Sequence, residues 1–224
     1  MSNLDYKQAY RRNLPHIQRP GAILFVTSRL AGSLPADLVE QWKQEQAWLD
    51  RLAVSHPSRF EVYKVRFERR WFAKFQNLLD AGSHGPVWLR EPRIANLVTD
   101  SLHYRDGRVF RLDCFSVMPN HAHMVFKPLP LQREAVKVQA QEPDTKPPYH
   151  SLASIMHSLK GYTAYKANRI LEREGEFWAH ESYDHSVRDF EEWNRIVAYV
   201  LNNPVKAGFV KHWSDWPWNY QRKK

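Results

Sequence analysis

Cysteine is almost missing from this chain: Cys114 is the single one in 224 residues. One thiol closes no disulfide, and no Cys-x-x-Cys pair is present to hold zinc. Disulfide-stapled scaffolds and zinc ribbons are therefore excluded, and a reducing, cytoplasmic setting is expected. Long apolar runs are missing too. None approaches the roughly 18 residues that a membrane helix needs, so no membrane partner is expected. The first residues, "MSNLDYKQAYRRNLPHIQRP", lack the apolar core of a secretion signal. Acidic residues are in the minority, with 24 Asp and Glu against 33 Lys and Arg, a net charge of +9. There is no internal repeat and no basic low-complexity tail beyond "QRKK".

What is present is a core and a basic surface. Hydrophobic residues make up 43% of the chain and nine are tryptophan, which excludes pervasive disorder. The basic residues are spread through structured-looking segments such as "KVRFERRWFAKF" and "SLKGYTAYKANR". Such a surplus favours a polyanion, most commonly nucleic acid, bound on a folded surface; an indifferent basic surface is the alternative.

The pattern reads as β, two helices, α, β, β, α, β, α. "GAILFVTSRL" (21–30) is a strand. Residues 36–54 and 59–80 have helical spacing, and "EPRIANLVTDSLHY" (91–104) is a helix with Pro92 in its first turn. "DGRVFRLDCFSVMP" and "HAHMVFKPL" are strands joined by a short "MPN", which predicts an antiparallel hairpin. Residues 129–149 are polar and proline-rich and read as a mobile loop. A helix begins near Ser151, "GEFWAHESYDHSV" (175–187) is a candidate strand, and "DFEEWNRIVAYVLNNP" is a helix ended by Pro204. The order predicts an α+β fold: an antiparallel sheet with helices on one face, as one domain over 1–224.

Two features carry chemistry. His121 and His123 are two apart in a strand, so their imidazoles share one face and can hold a metal ion; a pair of surface histidines is the plainer reading. In the last helix Phe190, Trp193, Ile196, Val197, Val200 and Leu201 form the core-facing stripe. At about 100° per residue, Tyr199 lies about 140° from the centre of that stripe, and Asn203 is one turn on, facing the same way.

Together, "MPNHAHMVF", "SLKGYTAYKANRI", "EGEFWAHESYDHSVRD" and "YVLNNPVKAGFVKHWSDWPWN" resemble the HUH single-strand DNA transposases (the IS200-like group), and among them the REP-associated tyrosine transposases. The likeness covers roughly residues 20–30, 91–127 and 150–217. It implies a ferredoxin-like sheet with a helical insertion at about 32–90, for which it supplies no role. It implies His121 and His123 as metal ligands, with Ala122 smaller than the usual bulky residue between them. It implies Tyr199 as the nucleophile and Asn203 as a third ligand. The implied ion is Mg2+ or Mn2+, and the implied partner is single-stranded or hairpin DNA, bound by a monomer or homodimer associated with the nucleoid of a bacterium.

The activity so implied is metal-dependent cleavage and rejoining of DNA near REP-like hairpins through a covalent 5′-phosphotyrosine. Lys160, Lys166, Arg169, Arg188 and Lys206 are the expected phosphate contacts. Tyr162 and Tyr165 are rival tyrosines, with Tyr162 expected to pack. Trp213, Trp216 and Trp218 read as core or cover before base-stacking platforms. Two other functions stay open: a hairpin-binding protein with little catalysis, and a zinc-dependent phosphodiester hydrolase that draws a third ligand from His185 or Asp184.

Overall fold

The computed structural model describes residues 9–11, 15–17, 21–131 and 149–223. Most of the expected loop at 129–149 lies outside the described residues. A short antiparallel ribbon, β1 (Ala9–Arg11) and β2 (Pro15–Ile17), precedes the main elements. These are β3 (Leu24–Leu30), α1 (Ala36–Ser55), α2 (Pro57–Ala81), α3 (Pro92–Arg105), β4 (Phe110–Val117), β5 (His121–Pro128), α4 (Leu152–Ile170), β6 (Trp178–Ser186), α5 (Phe190–Lys206) and β7 (Asn219–Gln221). The main sheet has the order β6-β3-β5-β4-β7, antiparallel throughout. The fold is α+β, as the element order predicts.

The central strands explain the layering. β3 and β5 do not alternate apolar with polar; "LFV" and "MVF" are apolar at consecutive positions, so both faces need a cover. On one face Leu24, Val26 and Leu30 of β3 and Ala122, Met124 and Phe126 of β5 meet Ile94, Val98 and Leu102 of α3 and Ile155 and Leu159 of α4. On the other, Phe25, Cys114 and Val125 meet Val197, Val200 and Leu201 of α5, with Phe72 of α2 packed beside them. The pair α3 and α4 thus occupies one face, and α5 together with α2 covers the opposite one, so helices cover both faces and not the single face that the element order predicts, because β3 and β5 are apolar on both sides. His121, His123 and Val125 share a face by the strand period, so the histidines point toward α5 and α2.

Local details depart from the sequence pattern in four places. Pro204 does not end α5. It lies inside the helix, which runs on to Lys206. Proline removes one backbone donor, and in a last turn that loss is tolerated; Ala207 N–H still reaches the Asn203 carbonyl at 2.9 Å. Phe190 does not belong to the buried stripe. It is 65% exposed at the helix start and stacks on Trp193. Tyr162 does not pack into the core either. It lies exposed on α4, near the guanidinium of Arg105. β7 was not foreseen, because three residues carry no period and only pairing with β4 defines them.

The two ends of the α1–α2 hairpin meet backbone to backbone. Gly85 has φ +73°, and a Cβ built on it would lie 2.1 Å from the Gly32 carbonyl oxygen. Gly85→Ala is therefore expected to destabilise by on the order of 3 kcal/mol, from positive-φ strain and overpacking together. A urea midpoint shifted down at unchanged slope would bear this out, and an unshifted midpoint would refute it.

Candidate active site

His121 and His123 are both 0% exposed, and their Nε2 atoms approach to 3.0 Å. The partners on the other ring nitrogens assign the tautomers. His121 Nδ1 is 2.7 Å from Asn120 Oδ1, and the amide of Asn120 donates through Nδ2 to the Leu79 carbonyl. Oδ1 of Asn120 is thus an acceptor, His121 donates from Nδ1, and its Nε2 carries a lone pair. His123 Nδ1 is 2.9 Å from Thr27 Oγ1, while its Nε2 is 3.2 Å from the Asn203 amide nitrogen, a donor. Nε2 of His123 is therefore an acceptor as well. Two lone pairs converge in a dry interior, an arrangement that a cation between them would satisfy.

The third group comes from α2. Asp80 Oδ1 is 3.8 Å from His121 Nε2, its side chain is only 6% exposed, and ligand atoms of Asp80, His121 and His123 all lie within 4.8 Å of one another. Two imidazoles and one carboxylate suit a divalent first-row metal or magnesium more than a soft, thiolate-loving ion. A further sign is Asn203 Oδ1, a buried oxygen with no hydrogen-bond partner among the described residues. Asn203, expected as a ligand through that oxygen, instead turns its nitrogen inward, donating to Asp80 Oδ1 at 2.9 Å. With a carboxylate beside it the donor end is the favourable one; turning the amide over would present Oδ1 in the same place. The residues fit a divalent ion.

Helical spacing builds the remaining wall. Gln76 and Asp80 are four apart on α2, and Tyr199 and Asn203 are four apart on α5, so each helix presents one pair toward the histidines. The Tyr199 hydroxyl donates to Gln76 Oε1 at 3.0 Å. Gln76 in turn donates to Thr27 Oγ1 at 3.2 Å. Lys206, the last residue of α5, donates to Asp80 Oδ2 at 2.8 Å from the solvent side. Tyr199 lies edge-on to the rings of His123 and Phe25. Off the core stripe in sequence, it is nonetheless half-buried, because α2 lies over it.

Electrostatics follow from burial. Desolvation lowers His121 to about 4, opposed by the nearby Asp80. His123 is held well below the ordinary imidazole value by burial, then by His121 and Lys206. Both rings are neutral, the state that binds metal. The Tyr199 hydroxyl is pushed up by burial first and by Asp80 second. It is thus a poor nucleophile until positive charge enters the site.

A pH prediction follows. Unfolded histidine takes a proton near pH ~6.5, and folded His121 only near about 4. Between these values the unfolded state binds more protons, so stability is full above the upper value and falls as pH drops through the window. His123 acts in the same direction. The urea midpoint of metal-free protein is expected to decline already between about pH 6.5 and 5, above the range of ordinary carboxylates; a flat midpoint there would contradict neutral buried histidines.

The expected phosphate contacts separate into two groups. Lys160 donates to the carbonyls of Ala179 and His180 at 2.6 and 2.9 Å. Arg188 forks onto Glu192, which it holds at about 2. Lys206 serves Asp80. Lys166 and Arg169 are exposed on α4, with Arg169 donating to Tyr165. That helix packs on the opposite face of the sheet from Tyr199, so Tyr162 and Tyr165 are far from the histidine pair in the layering. His185 is bonded to Glu192 and Asp184 lines a neighbouring cleft; neither is grouped with the histidines among the described residues. Trp216 donates to the Val117 carbonyl and Trp218 to Asn96, so both act as cover.

Sequence reasoning missed Asp80, Gln76, Thr27 and Asn120. One signal was present. Gln76 sits between Phe72, Phe75 and Leu79 on the apolar side of α2, a polar residue where the helix buries itself.

No protein-family model matches the chain. Among curated proteins, a REP-associated tyrosine transposase of Escherichia coli (strain K12) is 38% identical over 42 residues, 19% of this chain and 26% of that protein. A putative REP-associated tyrosine transposase of Haemophilus influenzae is 24% identical over 110 residues, 49% of this chain and 58% of that protein. The matched parts therefore span from about a quarter to under two thirds of those relatives. A solved structure of a REP-associated tyrosine transposase bound to a REP hairpin aligns over 94% of this chain and 80% of that one, with 17% identity and a TM-score of 0.48. Comparison of the sequence with curated proteins thus arrives where its motifs do: this chain is similar to the REP-associated tyrosine transposases.

Proposed function

We propose that the chain is a divalent-metal-dependent single-strand DNA endonuclease and strand transferase that acts beside REP-like hairpins, with Tyr199 as its nucleophile. The observation that carries this reading is one network. Asn203 Nδ2 is 3.2 Å from His123 Nε2 and 3.5 Å from the Tyr199 hydroxyl, so nucleophile and metal pair share a neighbour. The similarity to REP-associated tyrosine transposases supports the same choice.

In this reading Asp80, His121 and His123 hold the ion, Mg2+ or Mn2+ by the family likeness. Bound there, it supplies Lewis-acid neutralisation of the phosphate charge. Gln76 aims the Tyr199 hydroxyl. The Tyr199 oxygen attacks phosphorus, the bond to the 3′ oxygen breaks, and the phenol proton is passed to that oxygen, which leaves as a 3′ hydroxyl. Tyr199 retains the 5′ phosphate, and attack by another 3′ hydroxyl reverses the step, so the bond energy is kept. Lys166 and Arg169 are the candidates for phosphate contact on α4, Arg169 being bonded to the exposed Tyr165, whereas Lys160, Arg188 and Lys206 are held by carbonyls or carboxylates.

One observation favours a second reading. A two-histidine, one-carboxylate set also serves metal hydrolases, which use water and no protein nucleophile. Labelled hairpin DNAs with single-stranded flanks, incubated with Mn2+ and run on a denaturing gel, separate the readings. A covalent protein–DNA band supports the transferase. Cleavage without such a band moves the assignment to the hydrolase, and tight binding without cleavage to a hairpin binder.

A further inference from the structure

Beside the site lies a cleft of about 500 Å³ between α2 and β6. Its apolar wall includes Phe72, Phe75 and Tyr183, and Thr27 and Gln76, both bonded into the Tyr199–His123 network, line its inner end. The volume is within the roughly 300–1,000 Å³ of sites that take a small organic ligand, enough for a nucleotide.

Arg29 lines the same cleft. It is the Cα partner of His121 across the β3–β5 ladder, so the two side chains start as neighbours on one face of the sheet. Opposite Arg29 the β3–β6 register slips between Ser28↔Ser182 and Leu30↔Trp178, a bulge that re-aims side chains at its position. The Lys160 ammonium holds that bulge from the other face through the Ala179 and His180 carbonyls. Arg29 is half-buried, and no hydrogen bond links its guanidinium to another of the described residues; the counter-charge it feels is Glu181 on the bulge. A planar fork of five donors with no hydrogen-bond partner among the described residues, in a half-dry cleft, matches a phosphodiester better than any other group of DNA.

We propose that this cleft receives the single strand flanking the cut, with Arg29 binding a backbone phosphate next to His121 and an unpaired base seated against the aromatic wall. The proposal rests on the single-strand reading given above and adds to it a residue and a path. Burial lowers the proton affinity of this guanidinium against the pull of Glu181, and a phosphate entering beside it offsets that burial.

The test is binding, measured without added metal in the Tyr199→Phe background so that no chemistry intrudes. A thymidine-only oligonucleotide and a hairpin with a thymidine flank are titrated over a range of salt. Arg29→Ala is expected to weaken both by about tenfold or more. It is also expected to flatten the log–log salt dependence by about 0.7, the value of one phosphate contact on a single strand. Arg29→Lys, which keeps the charge but not the fork, is expected to recover the slope and only part of the affinity. Circular dichroism checks that each variant is folded. An unchanged slope and affinity in folded Arg29→Ala, with the parent binding well, overturns the Arg29 assignment and leaves the phosphotyrosine reading intact. Failure of the parent itself to bind single strands or hairpins overturns both.

Discussion

Tyr199→Phe is expected to remove every trace of the covalent protein–DNA band and of strand cleavage, while hairpin binding stays within a few-fold of wild type. Loss of a nucleophile costs on the order of 10⁶ in rate where it has been measured, so the residual reaction would be invisible on a gel. The substitution is mild for the fold. The ring of Tyr199 packs against Phe25 and His123, and phenylalanine keeps those contacts. Only the hydroxyl is lost, together with its bond to Gln76 and its longer contact with the Asn203 amide. Gln76 keeps its bond to Thr27, so the network below stays in place. Cleavage that survives in Tyr199→Phe would sink the transferase and leave water as the attacking group.

The second large effect concerns Asp80. Wild-type protein is expected to gain stability on adding Mn2+, by about 2.7 kcal/mol when the ion is at 100 times its dissociation constant. Asp80→Ala is expected to lose most of that gain, as is His121→Ala, because each removes a ligand atom from the same small group. Affinity should fall by more than the roughly 10–100-fold typical of residues that only orient ligands. Thermal melting with and without Mn2+ reads this without any DNA. A full Mn2+ shift in folded Asp80→Ala would show that the carboxylate is no ligand, and that it serves only to pair Lys206 and Asn203. Cleavage should fall in parallel with the lost shift.

These two residues reached the site by different routes, and the difference is physical. Periodicity determines which side chains of one element share a face. The strand period of two put His121 and His123 side by side, and the helical period put Asn203 next to Tyr199; both relations could be read directly from spacing. The capping of α5 by Asp189, which accepts from the Glu192 backbone, is local in the same way. The α+β class followed from the order of such elements.

What spacing cannot carry is which face meets which. Tyr199 and Gln76 are 123 positions apart, as are Asn203 and Asp80. Residues 32–90 looked like an addition without a role, yet α2 supplies the carboxylate and the hydrogen-bond acceptor of the tyrosine. Lys160 and Lys206 look identical in sequence to free basic residues; only tertiary packing shows them bonded to the Ala179 and His180 carbonyls and to Asp80. The sequence by itself determined the strand that carries the histidines, the helix that carries the tyrosine, and the basic character of the whole. The three-dimensional packing alone decided that a second helix closes over them, because non-local contacts are chosen by burial of whole faces and leave no period in the chain.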